Sequence, residues 1–224
     1  RQRQMCIRDR YLDGCMLVRF GATGGALSGK ALQSPADAWR FPGKPGGRTL
    51  AVAPGAFVVI AATAKNWQGG QDLSNAQYET FTGYASSDPD NPSAINLHRP
   101  GKTGSVTDLQ LSLTKDALVL TDGSDTVLTD GIAVTSVIDG VQWNTAWTPG
   151  TLPATIDAGY MGGPNFKYTL SIERNTKGVT TLNSTSDFGL QYPTPGYQHG
   201  STVTPPPTPA PRATVAQMFP FSVG

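Results

Sequence analysis

Cysteine and histidine are nearly missing from this sequence, with two of each in 224 residues. Two cysteines cannot build a disulfide framework, and two histidines leave no His-rich metal cluster. Charge is sparse as well, at 15% Asp, Glu, Lys and Arg. That excludes a coiled coil, a charged helical bundle and an acidic disordered chain. A net charge of +1 gives no basic footprint for nucleic acid. No apolar run reaches the roughly 18 residues of a membrane-spanning helix, so no transmembrane segment is expected in this stretch. Helical periodicity is also nearly absent. What is present is 38% hydrophobic residues, 26 Gly and 18 Pro. This is enough chain to bury a sizeable core, in one large domain or two small ones.

Residues 1–10 read RQRQMCIRDR. The string resembles the translation of a transposon-end sequencing adapter, which predicts an artefactual, disordered segment and a true N-terminus that is not included. It holds four Arg and one Asp, more positive charge than the whole chain carries, so the remainder is faintly acidic. It also contains Cys6, which leaves Cys15 as the single cysteine of the folded part. Cys15 opens the apolar run Cys15-Met16-Leu17-Val18 and reads as a buried structural thiol. No signal peptide is visible.

Short β-rich runs bounded by Gly, Pro, Asn and Asp dominate the rest. Strands are predicted at residues 15–20, 36–41 and 78–84, with Trp39 in the second. Residues 56–62 (AFVVIAA) are apolar throughout and follow the turn Ala53-Pro54-Gly55, which predicts a central strand buried on both faces. Residues 109–113 alternate, and 117–121 (ALVLT) follow. Asp122-Gly123, Asp130-Gly131 and Asp139-Gly140 are hairpin signals, because both residues tolerate positive φ. They predict strands at 126–128, 132–138 and 141–143, and residues 167–173 (KYTLSIE) add one more. Short strands and turns at this spacing predict an all-β fold, an antiparallel β-sandwich. Residues 85–106 and 144–166 read as long functional or rim loops. Seven prolines between Pro193 and Pro211 predict a polyproline-type linker.

The order of motifs resembles the lamin-tail-type domain of bacterial surface and secreted proteins. More narrowly, it is similar to an uncharacterised family of bacterial envelope proteins on that fold. The segments that carry the resemblance begin with Tyr11-Leu12-Asp13-Gly14, Trp39-Arg40-Phe41-Pro42-Gly43 and Val52-Ala53-Pro54-Gly55-Ala56-Phe57-Val58-Val59-Ile60-Ala61. Further along stand Asp72-Leu73-Ser74-Asn75-Ala76, Asp90-Asn91-Pro92 and Val137-Ile138-Asp139-Gly140-Val141. The last are Asp157-Ala158-Gly159-Tyr160, Ser171-Ile172-Glu173-Arg174, Asn183-Ser184-Thr185-Ser186-Asp187-Phe188 and Pro193-Thr194-Pro195-Gly196. The resemblance implies an immunoglobulin-like sandwich over residues 11–197, followed by a Pro-rich tail at 198–224. It implies a non-catalytic module of the cell envelope or the extracellular space. The family's first strand, before Tyr11, is not present, which predicts an incomplete sheet edge open to self-assembly or strand addition.

Candidate chemistry is thin. His98 reads as a polar loop residue and His199 lies in the Pro-rich tail, with no Gly-x-Ser-x-Gly elbow and no Cys-His pair. Glu79 and Glu173 fall on predicted strands, and a facing pair would serve glycoside hydrolysis. Asp88, Asp90 and Asn91 concentrate oxygens in one loop, with Asp72 ahead of it. They are the candidate calcium ligands, although the spacing is not that of an EF-hand. Trp67 and Trp147 are the candidate exposed aromatics for stacking on a sugar, while Trp39 and Trp143 read as core. Asn183-Ser184-Thr185 matches a glycosylation sequon and reads as a hairpin turn. The leading expectation is a non-catalytic surface module for adhesion, tethering or assembly, with a protein or glycan partner at the cell surface. The alternatives are a carbohydrate- or calcium-dependent binding module, and an accessory domain of a larger secreted hydrolase or nuclease.

Overall fold

A computed structural model describes residues 10–21, 24–53, 56–62, 64, 73–80, 91–100, 111–112, 114–125, 131–144, 152–157, 159, 171–175 and 180–191. Within them the chain forms β1 (Arg10–Tyr11), β2 (Met16–Arg19), β3 (Leu27–Ser28), β4 (Ala31–Leu32) and β5 (Asp37–Arg40). There follow β6 (Ala51–Val52), β7 (Ile60–Ala61), β8 (Tyr78–Glu79), β9 (Ile95–Asn96) and β10 (Lys115–Thr121). The last elements are β11 (Ile132–Ala133), β12 (Val137–Asn144), β13 (Ser171–Arg174), the one-turn helix α1 (Ser184–Asp187) and β14 (Phe188–Gln191). The protein is all-β, and most strand pairs are antiparallel.

The centre is a four-stranded antiparallel sheet in the order β12-β10-β2-β5. Side chains alternate across a strand with period two. Cys15, Leu17, Trp39, Phe41, Leu118 and Trp143 therefore meet in one buried cluster. Met16, Val18, Phe20, Ala38, Ala117 and Val119 meet in a second, on the opposite face. The β13–β14 pair brings Ile172, Phe188 and Leu190 onto the first cluster. Leu32 of β4 and Ile132 of β11 cover the second, together with Leu152 and Ile156. The central sheet is thus covered on both sides, and Trp39 on its outer strand β5 is fully buried. Burying such a side chain contributes on the order of 2–3 kcal/mol.

β7, β8 and β9 form a separate parallel sheet. The two sheets share the first core cluster, where Phe41 meets Tyr78 edge to face at 4.8 Å. They are also joined by an antiparallel bridge, where Arg40 and His98 exchange backbone hydrogen bonds at 2.6 and 2.9 Å. Pro42 and Pro100 occupy the next hydrogen-bonding positions to either side of it. Proline has no N–H, so the ladder stops after a single pair.

Several expectations are corrected. The sheets are not all antiparallel. Parallel strands need long crossovers, and residues 62–77 and 80–94 supply them. The apolar run 56–62 is not central: only Ile60–Ala61 is strand, and it is the outer member of the parallel sheet. Ala56 is exposed, and Phe57, Val58 and Val59 are half-buried. The doubly buried positions belong to β2 and β10, which have a strand partner on each side. Asp139-Gly140 is no turn; it lies inside β12, opposite Leu120 and Val119. A Cβ on Gly140 would stand 3.0 Å from Ile156 and 3.2 Å from Val119, so glycine here serves close packing. The expected strand 132–138 is interrupted by a 3-10 turn at Val134–Ser136. Gly123 does turn the chain, at φ +77, but the excursion that follows carries β11 before β12 returns. Residues 1–9 and 192–224, which hold most of the adapter-like segment and the Pro-rich tail, lie outside the described residues.

Candidate functional site

The expected site residues do not form a constellation within the described residues. Trp67, Trp147, Asp88 and Asp90 lie outside them, as does His199. Asn91 is described, and its side chain is engaged in local structure. It donates to Ala64 O at 2.8 Å and Ser74 O at 3.4 Å, and its oxygen accepts from Ser93 N–H at 2.9 Å. That is turn chemistry of the kind Asn favours. Glu79 and Glu173 are buried but belong to different sheets: Glu79 stands between Ala61 and Asn96, and Glu173 opposite Gly189. Strand pairing therefore does not set them face to face, and Glu79 Oε2 accepts from Ala64 N–H at 2.9 Å. Among the described residues, no group of three His, Cys, Asp or Glu is placed to hold a metal.

Trp39 and Trp143 are core residues, as their apolar settings predicted, and Trp143 Nε1 donates to Ser112 O at 2.6 Å. Cys15 is a free, buried thiol. Burial pushes its pKa up, and the carboxylates of Asp122 and Asp13 add to the shift, so the thiolate is suppressed. His98 keeps an exposed side chain while its backbone makes the bridge to Arg40.

Buried aspartates are what the structure adds, and each ties a loop. Asp13 accepts from Thr49 N–H at 3.0 Å, Leu50 N–H at 2.7 Å and the Thr49 hydroxyl. Asp116 accepts from Arg19 Nε at 2.7 Å and from the N–H groups of Gly21 and Ser112 at 2.8 Å. Asp37 is paired with Arg99. Asp187 collects Thr180 Oγ1, Thr181 N–H and Thr181 Oγ1, with Arg174 nearby at 3.5 Å. Arg40 plays the converse role. Its guanidinium donates to the carbonyls of Gly14, Gly123 and Asp125 at 2.8–3.0 Å, a use of its rigid fork that lysine could not copy.

Among the described residues, the nearest approach to a catalytic pair is Ser184 with Asp157. Ser184 Oγ donates to Asp157 Oδ2, and Ser184 N–H reaches Oδ1 at 2.7 Å. Gln142 completes the cluster, donating to Asp157 O at 2.9 Å and Gly159 O at 2.7 Å and accepting from Leu152 N–H at 3.0 Å. A serine nucleophile needs a base between it and the acid. Here the hydroxyl bonds the carboxylate directly, and Ser184 is buried. Ser184 sits against the outer edge of β12, whereas His98 lies beyond β10, β2 and β5, roughly 19 Å from β12 at about 4.8 Å per strand and further still from Ser184. The cluster is therefore a structural tie.

The sequon asparagine is likewise structural. Asn183 is the N-cap of α1, with its side chain accepting from Thr185 N–H at 3.0 Å. The expected hairpin turn is instead a loop carrying this helical turn between β13 and β14. The capping signal, Asn ahead of a short polar run, was present in the sequence. Asp13, Arg40 and Asp157 gave no such signal, because their partners are distant in the chain. Comparison of the chain with protein-family models, with curated proteins and with solved structures returned no match.

Proposed function

We propose that this chain is a non-catalytic module of the cell surface or extracellular space that serves adhesion, tethering or assembly. We propose further that its fold is the lamin-tail-type, immunoglobulin-like sandwich, with the four-stranded sheet as one layer and β13–β14 among the strands facing it. The shared first core cluster supports that pairing of layers. The observation that carries the functional reading is the use made of the acids. Asp13, Asp37, Asp116, Asp157 and Asp187 are all buried, and their oxygens are taken by the chain's own N–H, hydroxyl and guanidinium groups. A general acid or base must present its carboxyl within hydrogen-bond reach of a substrate. These five hold loops in place, as befits a scaffold that displays a surface.

The test is binding of the labelled full chain to isolated bacterial envelope fragments, alongside assays on chromogenic ester, glycoside and phosphodiester substrates. Saturable binding without turnover is expected. Absence of saturable binding overturns the reading. Turnover that disappears in Glu79→Gln or Glu173→Gln would make the chain an enzyme. Binding that needs calcium, or that is lost in Trp67→Ala or Trp147→Ala with an unchanged Tm, would transfer the assignment to a calcium-dependent or carbohydrate-binding module.

A further inference from the structure

Among the described residues the four-stranded sheet ends in two outer strands, β12 and β5, and an outer strand offers backbone N–H groups to any second strand that approaches. The hydrogen bonds fix which groups face outward. Phe41 N–H goes inward to Cys15 O, whereas Arg40 N–H goes outward to His98 O. Alternation along the strand turns Ala38 N–H outward too. It is taken by Asp37 Oδ1 at 2.9 Å. On β12, Gln142 N–H leaves the sheet for Ser184 Oγ at 3.3 Å, so Gly140 N–H, two residues earlier, also faces out. It is taken by Asp139 Oδ1 at 2.9 Å.

One device therefore stands at both edges. An aspartate closes the N–H of the residue after it, and an arginine from a distant segment holds the aspartate. Arg99 Nε reaches Asp37 Oδ1 at 2.7 Å, and Arg174 Nη2 reaches Asp139 Oδ2 at 2.7 Å. Arg174 is itself fixed by stacking on Phe188, 4.4 Å from the ring centre. A carboxylate is a stronger acceptor than the carbonyl of an incoming strand, and displacing it from an edge leaves a charge to be desolvated.

We infer that Asp37 and Asp139 are edge guards, each set by its arginine, that bar a second copy of this chain from adding a strand to the four-stranded sheet. β12 is where the guard decides the outcome. Its outward edge is open over residues 137–141, where Ile138 is 37% exposed and the Asp139 side chain 38% exposed, while Gln142–Asn144 are buried and Ser184 holds the Gln142 N–H. β5 is closed a second time by the bridge to His98, and its guard is buried. The inference goes beyond the module reading and holds whatever ligand the module binds.

The test uses the full chain and the variants Asp139→Ala and Asp139→Asn, by sedimentation velocity over a wide concentration range and by amide hydrogen exchange. The wild-type chain is expected not to pair through β12. Asp139→Ala, which frees Gly140 N–H, is expected to show about tenfold faster exchange at Gly140 when dilute. It is also expected to dimerise as concentration rises, with Gly140 protected again in the dimer. Asp139→Asn keeps an acceptor oxygen and is expected to stay monomeric, which separates the lost acceptor from general damage. The inference is overturned if Asp139→Ala exchanges and sediments like the wild type. It is equally overturned if its dimer leaves Gly140 unprotected, or if the wild-type chain already pairs through β12.

Discussion

Asp13 and Asp157 do the same job in two parts of the molecule, and their carboxyls respond to it in opposite ways. Each is almost fully buried, and each ties a loop through a hydroxyl and neighbouring N–H groups. At Asp13, burial pushes the pKa up, but the hydrogen bonds from Thr49 and Leu50 outweigh it and hold the group below the ordinary aspartate value. At Asp157 burial prevails over the hydrogen bonds from Ser184 and Gly159, and the pKa is raised. Both sites are well supplied with donors, so depth is what separates them. Thr49 is exposed and Leu50 half-buried, so water reaches the rim of the first tie. Ser184 and Gln142 are 1% and 2% exposed, and Leu152 and Ile156 pack beside the second. A hydrogen-bonded acid keeps its charge easily at a wet rim and at a cost in a dry interior.

The sharpest way to break this comparison is to delete each acid. Asp157→Ala leaves the N–H groups of Ser184 and Gly159 without their acceptor in the interior, and is expected to cost about 3 kcal/mol in urea unfolding. Asp13→Ala is expected to lower the urea midpoint by less, because water can replace the carboxylate at Thr49. If Asp13→Ala proves the more damaging of the two, depth is not the controlling variable.

A smaller effect is expected from crowding the second tie. A Cβ on Gly159 would fall 1.8 Å from Asn183 Oδ1, so Gly159→Ala must push the α1 cap aside. A loss of about 1–2 kcal/mol is expected, the scale of a lost N-cap. Asn183→Ala should then remove most of the Gly159→Ala loss and leave only the 2.8 Å approach to Thr185 Oγ1, and fully additive losses in the double variant would place the clash elsewhere.

The smallest effects are in pH dependence, and they differ in sign. The pKa of Asp13 is lowered from 3.8, so its stabilisation is present above that value and lost as pH falls through the folded pKa. The pKa of Asp157 is raised from 3.8, so its contribution is present below that value and lost as pH rises through the folded pKa. Urea midpoints measured against pH should lose the acid-side slope in Asp13→Asn and the slope above 3.8 in Asp157→Asn. The same slopes in both variants and the wild type would refute the contrast.

Much of the strand content was legible in the sequence. ALVLT lies within β10, the run from Cys15 contains β2, and Trp39 and Trp143 are core. The reason is local: alternation and turn residues act within a few positions. The errors share the opposite cause. AFVVIAA announces an apolar setting but not which neighbours supply it, so its place at the outside of a parallel sheet was invisible. Asp139-Gly140 permits a turn without requiring one, and Gly140 is there for Ile156 and Val119. The site was less legible than the fold. Asn91 was singled out for its side-chain oxygen, yet that oxygen closes a turn by accepting from Ser93 N–H, and Asp157 was passed over because Ser184 and Gln142 are far away in sequence.

By itself, then, the sequence determined that the described residues are short strands with almost no helix, and that the tryptophans at 39 and 143 lie inside. Period-two patterning and turn chemistry are properties of neighbours along the chain. The tertiary structure decided the strand order, the parallel sheet and its bridge at Arg40 and His98. It also decided which acids are buried and to which donors they are tied. Those depend on pairings between residues tens of positions apart, where packing and the loss of water, rather than local preference, set the free energy.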